Sequence, residues 1–191
     1  NDLIFFKGFA IEYVYRTALT QVTLGSWTHV VLTWDGTNLH TGIHIYYNGT
    51  ESSYAGELAN THYKDGTGLP ITDAANNFLI GNESGTTLTW DGFISHLQVF
   101  NRVLSLNEFR QIMYFPGSIR NGLKGYWPLY GTSSPEPDLS GFYGNGVLTG
   151  TSLASNPPIG RNARLARRNI ITRYNTVTGA VAYTKNLSDS I

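Results

Sequence analysis

The chain has 191 residues, in which 13 Lys and Arg balance 13 Asp and Glu, and it carries 13% aromatic side chains, 21 Gly, one Met and no Cys. That length suits one full-sized domain, or a domain with a tail, and an apolar content of 41% excludes a disordered chain. Scarce charge with abundant Gly, Tyr and Thr excludes a helical bundle and points to an all-β fold, while the lack of Cys excludes disulfide scaffolds, thiolate metal sites and cysteine nucleophiles.

The opening residues NDLIFFKGFA lack the charged head and long apolar core of a signal peptide, so a chain that starts at Asn1 reads as a processed product or a fragment. Residues 9–15 form a β-rich stretch, and Trp27 to Trp34 (WTHVVLTW) is a strong strand of β-branched and aromatic residues. Asp35-Gly36 suits a tight turn; Ile43 to Tyr47 is the next strand, closed by the hairpin dipeptide Asn48-Gly49. Residues 50–76 read as long polar loops with at most an edge strand. Phe78-Leu79-Ile80 is a short buried strand, and Phe93 to Phe100 alternates as one continuous strand. Ser105 and Glu108 have capping-box spacing ahead of Leu106, Phe109, Ile112 and Met113, a short surface helix that Pro116-Gly117 stops. Residues 123–130 read as one more strand, and 131–160 as loops.

The tail differs in charge. Residues 159–191 hold Arg161, Arg164, Arg167, Arg168, Arg173 and Lys185 against Asp189, a surplus of five positive charges on a body with five surplus negative ones. Such a tail reads either as a solvated polar stretch or as an arm for an acidic surface, on a partner, a second copy or a nucleic acid. Two apolar-alternating pieces near Asn169–Tyr174 and Thr176–Tyr183 suit an added hairpin or an extended arm. The division expected is a body over 1–160 and an arm or hairpin over 161–191.

The series WTHVVLTWDGT, IYYNG, FLIGN and WDGFISHLQVFNRVLSLNEF resembles a laminin-G-like domain of the concanavalin A-like lectin/glucanase superfamily. Trp27, His29, Asp35, Gly36, Tyr47, Asn48, Gly49, Gly81, Asn82, Gly92, Asn101, Arg102, Leu104, Ser105 and Glu108 carry the match. The resemblance implies an antiparallel β-sandwich, a jelly roll, with one surface helix. Only 26 residues precede Trp27, so the front half reads as incomplete, and GLKGYWPL with DLSG and GNG resembles the family's opening strand displaced downstream. The arrangement resembles that of bacterial and phage-encoded laminin-G-like proteins, which implies a phage or surface-particle origin.

No paired carboxylates take the E-x-D-x-x-E spacing of the superfamily's glucanases, and no G-x-S-x-G elbow occurs, so the chain is read as a non-enzyme. Calcium is the ion that sandwich rims hold through hard oxygen donors, and Asp35, Asn82, Glu83, Asp91 and Asp138 are the candidates, although turn geometry needs the same Asp-Gly pairs without metal. A cell-surface glycan would use Tyr54, Asn60, His62, Tyr63 and Trp90, aromatic and amide groups in or beside loops. Two functions are expected. One is a structural or interaction protein on a particle surface, such as a virion decoration, anchored to its neighbours by Arg161, Arg164, Arg167, Arg168 and Arg173. The alternative is an extracellular lectin-like adhesion module. Nucleic acid is disfavoured because no sequence-reading motif accompanies the arginines.

Overall fold

The computed structural model describes residues 3–19, 22–54, 62–72, 77–81, 90–129, 134–154 and 176–182. The expectation of an all-β chain is met: the described strands pair antiparallel throughout, as in a concanavalin A-like β-sandwich, beside one α-helix. The chain divides into two compact units, the first formed by residues up to Thr72 with Val103–Met113.

In the first unit, β1 (Ile4–Lys7) pairs with β2 (Val14–Thr17), which pairs in turn with β6 (Tyr63–Lys64). A second sheet joins β3 (Val30–Trp34), β4 (Ile43–Tyr47) and β5 (Thr50–Glu51). Alternation along these strands puts Val14, Ile43, Ile45 and Tyr47 into one core, which Phe9 and Ala18 join from isolated bridges, with Leu3, Phe5, Val30 and Trp34 packed against it. The stretch from Phe9 to Tyr15 is not one strand. Phe9 and Glu12 instead bridge to Pro70 and Thr67, and β2 begins only at Val14. Nor do Asp35-Gly36 close a two-residue hairpin; the chain from Asp35 to Gly42 makes a wider loop, tied where the Asp35 N–H donates to the Gly42 carbonyl at 3.2 Å. Asn48 and Gly49 have φ of 49° and 77° and turn β4 directly into β5, as the dipeptide requires.

The helix α1 (Leu106–Tyr114) starts with the expected capping box: the Ser105 N–H donates to Glu108 Oε2 at 2.8 Å, and the Glu108 N–H donates to Ser105 Oγ at 3.4 Å. It buries Phe109 and Ile112 and leaves Leu106 exposed. Phe109 packs on Tyr46 with ring centroids 4.7 Å apart.

In the second unit, β7 (Leu79–Ile80) and β8 (Phe93–Ile94) both pair with β12 (Thr176–Ala182), whose other edge takes β11 (Val147–Ala154). A separate pair joins β9 (Leu97–Phe100) to β10 (Leu123–Trp127). The expected continuous strand 93–100 is therefore broken. His96 takes φ 55° and lets Phe93-Ile94 serve one sheet and Leu97–Phe100 another. Its own N–H donates to the Pro128 carbonyl, and its Nδ1 lies 3.0 Å from the Tyr126 hydroxyl. Trp127, 1% exposed, centres the core with Ile80 and Leu129, and Phe78, Ile94, Leu97, Val99, Tyr143 and Leu148 surround it.

Candidate ligand-binding surface

The residues chosen from sequence for a glycan fall in different settings. Tyr54 is a structural tyrosine in its contacts: its hydroxyl accepts the Ile45 N–H at 2.8 Å and donates to Glu51 Oε1 at 3.0 Å. The Arg16 guanidinium lies 3.3 Å from its ring centroid and donates to the Ile43 carbonyl. Burial, with the Glu51 carboxylate beside it, pushes the phenol up to about 12. Burial alone would raise the Glu51 carboxyl, but bonds from His44, 2.6 Å away, and Tyr54 outweigh it and hold the group low.

Tyr63 stacks on His40 at 3.9 Å, and His40 Nδ1 lies 2.6 Å from Asp65 Oδ1. The backbone N–H of His40 donates to the same oxygen, and these bonds outweigh burial and lower the Asp65 carboxyl. His62 accepts the Thr17 N–H through its carbonyl, while its Nδ1 is buried with no hydrogen-bond partner among the described residues. Trp90 is exposed, its N–H donating to the Gly81 carbonyl at 2.7 Å. Asn60 lies outside the described residues, as do Arg161, Arg164, Arg167, Arg168 and Arg173.

Among the described residues no three of His, Asp and Glu come together as a metal site. The Asp138 carboxylate is ringed by donors: Oδ1 takes the N–H groups of Tyr126 and Ser140 at 2.9 Å each, and Oδ2 takes the Tyr143 N–H and the Ser140 hydroxyl at 2.8 Å each. A cation there would meet the positive ends of three backbone N–H dipoles, so Asp138 does not fit a calcium site. Asp35 Oδ1 likewise takes the N–H and hydroxyl of Thr37, and those bonds hold its carboxyl below the usual range. It serves the turn. Asp91 lies beside Trp90, and Asn82 and Glu83 lie outside the described residues.

A different surface is built on the outward face of the β1–β2–β6 sheet. Register places Phe6 opposite Tyr15, and Tyr15 opposite Lys64, in one row across three strands. Tyr13, one alternation back along the chain, packs on Phe6 with centroids 4.6 Å apart and on Tyr15 at 5.8 Å. Phe6 is 59% exposed and Tyr13 41% exposed, so these rings cover one another only in part. Lys64 Nζ lies 5.1 Å from the Tyr13 ring centroid and 3.0 Å from Glu12 Oε1. The bond the ammonium donates to Glu12 is the main reason Lys64 titrates above its ordinary range. Aromatic faces, two phenols and a balanced ion pair thus share one solvent-facing patch, where an exposed apolar cluster marks a contact surface. Sequence reasoning missed it. The signal was the alternation of Ile4 and Phe6 against Phe5 and Lys7, together with Tyr13 and Tyr15, but only the register brings the two together.

Comparison with known proteins agrees with this architecture. Pentraxin-related protein PTX3 of Bos taurus is 30% identical over 91 residues, 47% of this chain and 23% of that protein, so the chain spans about a quarter of the relative's length. No solved structure gives a significant match. A laminin-G family model, described as concanavalin A-like lectin/glucanases superfamily, matches residues 5–109, more than half of the chain. With its antiparallel sheets and capped helix, the chain belongs to the laminin-G-like family of the concanavalin A-like lectin/glucanase superfamily.

Proposed function

We propose that the chain is an extracellular, non-enzymatic recognition module that takes a glycan on the outward face of the β1–β2–β6 sheet. The observation that carries this reading is the exposed group of Phe6, Tyr13 and Tyr15 flanked by Glu12 and Lys64. A pyranose ring has an apolar face of C–H groups and an equatorial rim of hydroxyls. An aromatic ring buries the first, while phenol and ion-pair edges bond the second. The balanced charge of Glu12 and Lys64 suits a neutral, hydroxyl-rich ligand.

Family membership supports a lectin-like role. Among the described residues no helix is long and apolar enough to cross a membrane. The pairing of β12 with β7, β8 and β11 of its own chain supports a self-contained module over an arm that reaches for neighbours. The particle-surface role rests on the sequence pattern alone.

The test is a glycan array probed with the whole chain, followed by calorimetry of the strongest ligand against wild type, Tyr13→Ala and Phe6→Ser. Each substitution is expected to weaken binding by about tenfold or more, the equivalent of ~1.4 kcal/mol. Unchanged affinity in both variants, or an array with no bound glycan, overturns the reading.

A further inference from the structure

The turn between β4 and β5 carries the triplet Asn48-Gly49-Thr50, which has the form of an N-glycosylation acceptor. Asn48 and Thr50 are both exposed there. The Asn48 side chain is held by one atom: Oδ1 accepts the His29 N–H at 2.9 Å, while the Asn48 N–H donates to the His29 carbonyl at 2.8 Å. Because an N–H can be met only by an acceptor, this bond fixes which end of the amide is oxygen. The amide nitrogen Nδ2 is left on the other side, with no hydrogen-bond partner among the described residues. Behind the turn, Gly49 faces α1: a Cβ placed on it would lie 3.2 Å from Arg110 Cγ. The backbone of the turn is thus packed on the helix while Nδ2 stays open.

We propose that Asn48 is a modification site, N-glycosylated when the chain passes through a secretory route that has the transferring enzyme. The co-reactant is a lipid-pyrophosphate-linked oligosaccharide. A bond forms between Nδ2 and the sugar's anomeric carbon, the sugar–phosphate bond breaks, the lipid pyrophosphate departs and the amide loses one proton. Attachment at Nδ2 leaves Oδ1 free to keep the His29 bond, so the finished hairpin accepts the glycan without rearrangement. The site also lies at the start of β5, which pairs only with β4 among the described residues, and a bulky polar group there hinders another strand from adding to that edge. The glycan is carried at this turn, not bound on the sheet face, so the proposal is independent of the ligand reading above.

The experiment is secretion of the whole chain from cultured animal cells, with peptide mapping by mass spectrometry before and after enzymatic removal of N-glycans. Mapping by site is needed because the triplets at Asn82 and Asn186 lie outside the described residues. The peptide containing Asn48 is expected to carry a glycan in wild type and in Thr50→Ser, and to lose it in Asn48→Gln and Thr50→Ala. Thr50→Ala keeps the bonds between Asn48 and His29, so its melting curve separates loss of the acceptor signal from loss of the turn. A secreted, folded wild-type chain with an unmodified Asn48 peptide overturns the proposal, as does a glycan that persists in Thr50→Ala.

Discussion

The Asp138 carboxylate accepts the backbone N–H of Tyr126 at 2.9 Å, and so ties the polar turn after β10 to the strand that carries Trp127. The same turn returns other bonds. The Leu139 N–H donates to the Tyr126 carbonyl at 2.8 Å, and the Trp127 indole N–H donates to the Gly144 carbonyl at 3.3 Å. Asp138→Ala would strip three N–H groups of their acceptor at once, while the Ser140 hydroxyl keeps the Lys124 carbonyl at 2.8 Å. Bonds to charged groups contribute roughly 1.5–3 kcal/mol each and are not additive, so a loss of about 3 kcal/mol is expected. Urea unfolding followed by tryptophan fluorescence measures it. A loss below ~1 kcal/mol would mean that the turn holds β10 without this carboxylate.

His96 sets an acid limit on the second unit. Burial lowers its imidazole to about 4 from the ordinary 6.5. The folded state therefore resists protonation that the unfolded chain accepts. The contribution is fully present above pH 6.5, falls as pH drops toward 4, and levels off below that. The full shift corresponds to about 3 kcal/mol. His96→Asn keeps a residue that tolerates the positive φ and removes the titration, so its stability should vary less between pH 6.5 and 4 than that of wild type. Chemical denaturation at four or five pH values compares the two slopes. His29, also lowered by burial, adds a background slope common to both proteins.

Gly125 lies in β10 where a Cβ would fall inside the Trp127 indole and 3.1 Å from Tyr143 Cδ2. Neither ring can withdraw readily, since Trp127 is almost fully buried and stacks on Tyr143 with centroids 6.1 Å apart. Gly125→Ala should destabilise by roughly 1–3 kcal/mol through overpacking, although alanine suits a strand better than glycine does. Thermal melting decides the sign.

Local features were legible in the sequence and long-range ones were not. The capping box of Ser105 and Glu108 and the Asn48-Gly49 turn depend on neighbours within four residues, so spacing alone identifies them. The break at His96 left no such mark, because alternation runs unbroken from Phe93 to Phe100 and nothing local shows that the two halves join different sheets. Asp35 and Asp138 have the residue type of a calcium ligand, but the donors aimed at them come from folded backbone. The Phe6, Tyr15 and Lys64 row needs three strands in register, with β6 far along the chain from β1. Thr176–Ala182 reads equally well as an arm, and only its two pairing edges make it a sheet strand.

That placement of β12 has a consequence for truncation. A chain ending after Ala154 loses the strand that lies between β11 on one edge and β7 with β8 on the other. Three strands are then left with open edges, which invites aggregation. The amides of Val147–Ala154 should exchange rapidly in the truncated chain and slowly in the full one, with higher-mass species on size-exclusion chromatography. Equal protection in both would show that β11 is held without β12.

Tyr54 separates a ligand platform from a structural residue. Its hydroxyl joins the backbone of β4 to Glu51, and one face of its ring carries the Arg16 guanidinium. Tyr54→Phe keeps the ring under Arg16 but leaves the Ile45 N–H without its acceptor, at an expected cost of about 1–3 kcal/mol. The same change frees the Glu51 carboxylate of one of the bonds that hold its pKa low, so the variant should also lose less stability than wild type as pH falls through that range. The sign follows from the depressed carboxyl: its contribution exists above the unfolded pKa and disappears as acid protonates the folded group. Glycan affinity, carried by Phe6 and Tyr13 on the outward face, should stay unchanged in this variant. A Tyr54→Phe protein with native stability and weakened glycan binding would move the ligand site from the sheet face to the loop beside Tyr54.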